Sequence, residues 1–130
     1  MNKMDKVRLQ DGREVDVYRL AGFLYGLSAS DVELLKVILE QREVTTEYLA
    51  ERLKVTKASV SKGLNNILDR GLISRDRAMR NGGKGRPIYI YKADRKQFLA
   101  RFADDLQSIS DQVRKSLEEK DGKKLVTVPN

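Results

Sequence analysis

Apolar and polar residues alternate at the start of the chain, where KVRLQDGREVDV turns about Asp11-Gly12, a dipeptide suited to a tight reversal. A short hairpin is expected there. The next stretch, YRLAGFLYG, stays apolar but contains Gly22 and Gly26, and fits either a helix or an extended arm. From Ser28 onward the apolar spacing becomes helical. Val32, Leu34, Leu35, Val37, Ile38 and Leu39 gather on one side, Ser30 is the expected cap ahead of Asp31, and the helix should cover 30–42. A shorter helix is expected over 46–53, with Thr45 in a cap-like position and Tyr48, Leu49, Leu53 and Val55 as its apolar stripe.

A third helix opens at Thr56, a capping residue, and runs through KASVSKGLNNILDR to Gly71, which suits the left-handed position that ends a helix. At about 100° per residue, Val60, Leu64, Ile67 and Leu68 share one face. Ala58, Ser59, Ser61, Lys62, Asn65 and Asp69 lie on the other side or its flanks, so the outward face is small and hydrogen-bonding. Two strands follow, 72–75 and 88–91, joined by RAMRNGGKGRP with three glycines and four basic residues.

The last periodic segment, 94–120, carries Leu99, Phe102, Leu106, Ile109 and Val113 at steps of 3, 4, 3 and 4, a coiled-coil-like seam. Fully helical, it would be about 40 Å long, more than a small domain needs for its own core. The residues after it, 121–130, are expected to fray. The chain thus divides into an N-terminal hairpin or arm (1–26), a central domain (27–93), a long helix (94–120) and a tail. The fold class is mainly α with a small β-hairpin.

Composition narrows the chemistry. None of the 130 residues is Cys or His, which removes disulfides, thiolate nucleophiles, imidazole bases and the usual zinc sites. The acid pairs Asp104-Asp105 and Glu118-Glu119 are consecutive on a helix and cannot face one another as a catalytic dyad. No catalytic residue, metal site or cofactor is expected, and the chain is not read as an enzyme. The sequence contains neither an apolar run of membrane-spanning length nor a secretory signal, so a cytoplasmic protein without a membrane partner is expected.

Charge is concentrated. The net charge is +7, yet residues 52–92 alone hold eleven Lys/Arg against Asp69 and Asp76, a local surplus of nine. One basic segment in an otherwise near-neutral chain suits a polyanion partner. The order of helix, short helix, capped helix with a small polar face, and basic Gly-rich hairpin describes a helix-turn-helix followed by a wing. The major groove of DNA accepts such a helix. Lys62 suits guanine acceptors and Asn65 adenine, Ser59 and Ser61 suit bases or phosphates, and Thr56, Lys57 and the amides at the helix start suit a phosphate. Arg77, Arg80, Lys84 and Arg86 would meet the backbone or the adjacent minor groove, with Gly82, Gly83 and Gly85 loosening the hairpin tip. Tyr89 and Tyr91 fit either sheet packing or a stacking platform for single strands.

The stretch TTEYLAERLKVTKASVSKGLNNILDRGLISR, followed by GKGRPIYIYKA, resembles the winged helix-turn-helix of archaeal TrmB-like and MarR-like regulators over about residues 27–93. The resemblance implies that helix 57–70 enters the major groove, that the hairpin contacts flanking DNA, and that dimerisation uses helices outside this core. It does not bring a sugar effector, because the large effector domain of the longer TrmB-like proteins has no counterpart here. The expected function is sequence-specific binding of double-stranded DNA by a homodimeric transcription regulator, paired through Leu99, Phe102, Leu106, Ile109 and Val113. Two alternatives stand beside it: a winged helix that docks on an acidic protein surface of the transcription machinery, and an architectural chromatin protein blind to sequence.

Overall fold

The structure, a computed structural model, describes residues 5–79 and 85–127, with side chains as far as Glu119. The chain forms two units, one up to Arg95 and one from Lys96. In the first, strands β1 (Lys6–Arg8) and β2 (Glu14–Asp16) make the expected hairpin, pairing antiparallel with Val7 opposite Val15. Gly12 supplies the positive φ of its turn, +92°.

YRLAGFLYG belongs to a helix, α1 (Val17–Tyr25), capped by Asp16, whose carboxylate accepts from Tyr18 N at 2.8 Å. Gly26 ends it at φ +69°, and Leu27 N donates back to Gly22 O at 2.8 Å. Gly22 weakens the helical pattern in sequence because a neighbour needs its space: an added Cβ would lie 2.5 Å from Val32 Cγ2 of the next helix.

That helix, α2 (Ala29–Gln41), is capped by Ser28 and not by Ser30. Ser28 Oγ accepts from Asp31 N at 3.1 Å while Asp31 Oδ2 accepts from Ser28 N at 3.2 Å. This reciprocal pair satisfies two orphan donors at once and starts the helix one residue before the expected 30. Ser30 Oγ only shares a hydrogen bond with Ser28 Oγ. Arg42 then takes φ +75°, and its carbonyl accepts from Ala93 N at 3.1 Å. A two-residue strand that the sequence pattern does not announce follows, β3 (Glu43–Val44).

Helices α3 (Thr46–Leu53) and α4 (Lys57–Asp69) fall where the periodicity placed them. Each is capped by a threonine: Thr45 Oγ1 accepts from Tyr48 N at 3.1 Å and Thr56 Oγ1 from Ser59 N at 3.0 Å. Lys54, at φ +57°, makes the turn between them. After α4, Gly71 adopts the expected left-handed conformation at φ +71°. Leu35, Ile38, Leu49, Val60, Leu64 and Ile67 are the most deeply buried large side chains, so the core sits among α2, α3 and α4.

Strands β4 (Ser74–Met79) and β5 (Pro87–Lys92) form the wing, and β3 adds to give the order β3-β5-β4. The first strand therefore starts later and runs longer than the expected 72–75. Leu72 and Ile73 are apolar because they are buried in the connection from α4, a demand that looks like strand patterning in sequence.

The last helix, α5 (Arg95–Thr127), passes the expected end at 120 and continues through most of the segment expected to fray. A single interior glycine, Gly122, costs about 1 kcal/mol, too little to stop a helix of this length, and the next strong breaker is Pro129. Within it the rings of Phe98 and Phe102 stack with centroids 6.2 Å apart, and both are buried.

Candidate nucleic-acid interface

The inner face of α4 fixes where its outer face points. Val60, Leu64 and Ile67 are buried, and Gly63 between them lets α2 approach: a Cβ there would collide with Leu34 Cδ1 and lie 2.9 Å from Asp31 Oδ1. Asp31, the buried charged residue of this core, accepts from Asn66 Nδ2 at 2.6 Å with the same oxygen that serves the α2 cap. One carboxylate thus joins the start of α2 to the middle of α4. Arg70 ties the other end, donating from Nε to Tyr25 O at 2.7 Å. It serves the fold, although in sequence it counts with the basic segment.

With the helix so held, Thr56, Lys57, Ser59, Ser61, Lys62 and Asn65 are all exposed. The structure therefore brings together the residues named for the helix. The Thr56 oxygen accepts the cap bond from Ser59 N, which leaves its own O–H and the remaining backbone amides of the first turn as the anion-facing donors. Lys57 Nζ lies 3.9 Å from Glu47, an exposed pair that costs little to open. Lys62 makes no ion pair among the described residues. The first acid on this helix is Asp69, in its last turn.

On the wing, residues directly opposite in the ladder share a face. Arg75, Arg77 and Met79 of β4 stand opposite Tyr91, Tyr89 and Pro87 of β5. Tyr91 is buried and packs the sheet. Tyr89 is exposed, and the Arg75 guanidinium covers its ring at 4.3 Å from the centroid, so one π-face is already taken by a cation. Arg77 and Arg86 are exposed. Arg80 and Lys84, the other two wing residues named from sequence, lie outside the described residues. On the opposite face Lys92 pairs with Asp76 at 2.7 Å, and hydrogen bonding to that carboxylate holds its ammonium above the usual lysine range.

Two further guanidiniums are shifted upward. Arg52 donates to Tyr48 Oη and to Glu40, and Arg95 to Asp5 and Tyr18 Oη. The bond from Arg95 to Asp5 also anchors the hairpin, since Asp5 precedes β1. Of the seam residues on α5, Phe102 is buried and Leu99 half-buried in the single chain, while Leu106, Ile109 and Val113 are exposed. Sequence reasoning did not single out Gly63, Asp31 or Asn66. A glycine in the middle of a strongly capped helix was the available signal for the first, and the three-residue spacing from Ser28 for the capping role of Asp31; nothing in the pattern announces Asn66.

Residues 25–85 match the MarR family. A possible transcriptional regulator from Methanosarcina mazei Go1 superposes with a TM-score of 0.71 at 20% identity, over 88% of this chain and 95% of its own. The ST1889 protein of the thermoacidophilic archaeon Sulfolobus tokodaii gives 0.59 at 21% identity, covering 75% and 90%. A transcriptional regulator homologue from Pyrococcus horikoshii OT3 gives 0.51 at 12%, covering 75% and 95%. No curated protein matches by sequence. Among the described residues no helix is long and apolar enough to cross a membrane.

Proposed function

We propose, on the premise that this chain is a MarR-like winged helix-turn-helix protein, that it is a transcription regulator that binds duplex DNA with α4 in the major groove and the β4–β5 wing on flanking DNA. The carrying observation is the division of α4 into an inner face held by Gly63, Leu64, Ile67 and the Asp31–Asn66 bond and an outer face of exposed short or basic side chains. A groove-reading helix needs both: a rigid mount, and small side chains that let the backbone approach base edges.

Within that reading Lys62 pairs with guanine and Asn65 with adenine. Asn66 is spent on Asp31, so Asn65 is the asparagine that serves the groove. Lys57, Ser59, Ser61 and the amides after Thr56 hold phosphates or bases, and Arg77 and Arg86 hold phosphates on either side. The active species is a homodimer joined through α5, whose exposed Leu106, Ile109 and Val113 supply the seam. Two heads then read a near-palindromic site with half-site centres about 34 Å apart or a multiple of it.

Retention of genomic fragments in the presence of competitor duplex tests the proposal. A favoured sequence supports a regulator, sequence-blind retention an architectural protein, and no retention a protein-docking module. Lys62→Ala and Asn65→Ala should relax base preference, whereas Arg77→Ala and Arg86→Ala should weaken every duplex alike and each lower the log–log salt slope by about 0.9. The reverse pattern would exchange the roles of helix and wing.

A further inference from the structure

The last rung of the wing ladder among the described residues is apolar where a phosphate-gripping surface has no use for apolar groups. Met79 and Pro87 are directly opposite in the ladder and so share a face. Met79 is 52% exposed, more than either tyrosine of the sheet. The rung beneath it on that face is Arg77 opposite Tyr89, the Tyr89 ring is pinned by Arg75, and the exposed Arg86 directly precedes Pro87. Arg77 therefore occupies the neighbouring rung on the face of Met79 and Pro87, Arg75 stacks on Tyr89 behind it, and Arg86 adjoins the proline in the chain, on a two-stranded ribbon whose base is fixed by the buried Tyr91.

Resting on the duplex-binding proposal above, we infer that the Met79–Pro87 rung is a wedge that enters the minor groove beside the site and unstacks one base step, so that the protein bends the DNA it binds. The chemistry fits a minor groove in two ways. Arginine is drawn to its concentrated negative potential, and methionine and proline are among the side chains that part stacked bases there. Arg77 and Arg86 bring the rung to the groove and neutralise the phosphates that a kink crowds together. The Arg75–Tyr89 stack stiffens the strand behind it against the recoil of the bent duplex. Pyrimidine–purine steps unstack most easily, so the preferred flanks contain TA or CA/TG.

Ring closure by ligation of a random-sequence duplex of about 100 base pairs, shorter than the persistence length of about 150, tests this without knowledge of the site. The full chain at saturating concentration should raise the closure rate about tenfold or more. Met79→Ser, a change at an exposed position that should leave the circular dichroism spectrum unchanged, should return closure to the rate of bare DNA while gel retention stays within about twofold, and Met79→Leu should keep both. Retention without faster closure, or closure indifferent to Met79→Ser, overturns the wedge and leaves duplex binding intact. Failure of the parent chain to retain any duplex instead removes the proposal on which the wedge rests, and the wedge with it.

Discussion

Gly63→Ala places one methyl group between two helices that have no room for it. Its carbon would fall more than about 1 Å inside the ordinary 3.5–4.0 Å separation from Leu34 Cδ1, and 2.9 Å from the Asp31 oxygen beside the one that holds Asn66. Overpacking of this kind costs about 1–3 kcal/mol, and alanine returns about 1 through its better helix propensity. Disturbance of the bond from Asn66 to a buried carboxylate adds to the loss, since such bonds contribute about 1.5–3 kcal/mol when intact. The net expectation is a destabilisation of about 1–3 kcal/mol. Urea denaturation followed by circular dichroism should show a lower midpoint at an unchanged m-value. Leu34→Ala alone should cost about 2–5 kcal/mol, but in the double variant the cavity receives the new methyl and the penalties should fall short of their sum by about 1 kcal/mol or more. A Gly63→Ala protein as stable as the parent, or strict additivity with Leu34→Ala, would refute the close-approach reasoning.

Asp31→Ala removes the carboxylate half of the α2 capping box and strands the Asn66 amide together, and should destabilise by about 2–4 kcal/mol in the same urea experiment. Arg42→Gly should stabilise by about 1 kcal/mol, because the backbone there sits at φ +75°, where a side chain is strained and glycine is not. Thermal melts would show it as a higher Tm. The raised ammonium of Lys92 gives a pH signature: its pairing with Asp76 contributes fully below the ordinary lysine range and is lost as pH rises through the elevated value, so Lys92→Met should differ in stability from the parent at neutral pH and converge with it in strong alkali. Ile109→Asp should shift the sedimentation profile of the proposed homodimer toward monomer while leaving the helical signal of the head unchanged.

Most of the central domain was legible because its signals agree with one another. Thr45, Thr56 and Gly71 mark ends that the apolar spacing of α3 and α4 independently requires, and local and global demands coincide there. Where they diverge, sequence patterning misleads. Leu72 and Ile73 have the composition of a strand but fill the core from a connection, and Ser30 has the chemistry of a cap while the reciprocal bond to Asp31 belongs to Ser28. The three-residue spacing of Ser28 and Asp31 contained that answer, because a capping box needs both partners. The short β3 has too few residues to display any period, and its pairing with Lys92 and Tyr91 is a long-range fact. The exposed face of α4 was readable as the complement of its apolar stripe. The mount behind it was not, since the bond from Asn66 to Asp31 joins residues 35 apart in the chain.

Among the described residues, Ser61, Lys62 and Asn65, which α4 offers outward, take no part in holding that helix in place; the glycine contact and the buried carboxylate are recruited from its hidden side. Vocabulary and grammar are thereby kept on different surfaces. A lineage carrying this scaffold can rewrite Ser61, Lys62 and Asn65 one letter at a time without first buying stability elsewhere, and the same freedom is open to anyone who wishes to retarget it in the laboratory.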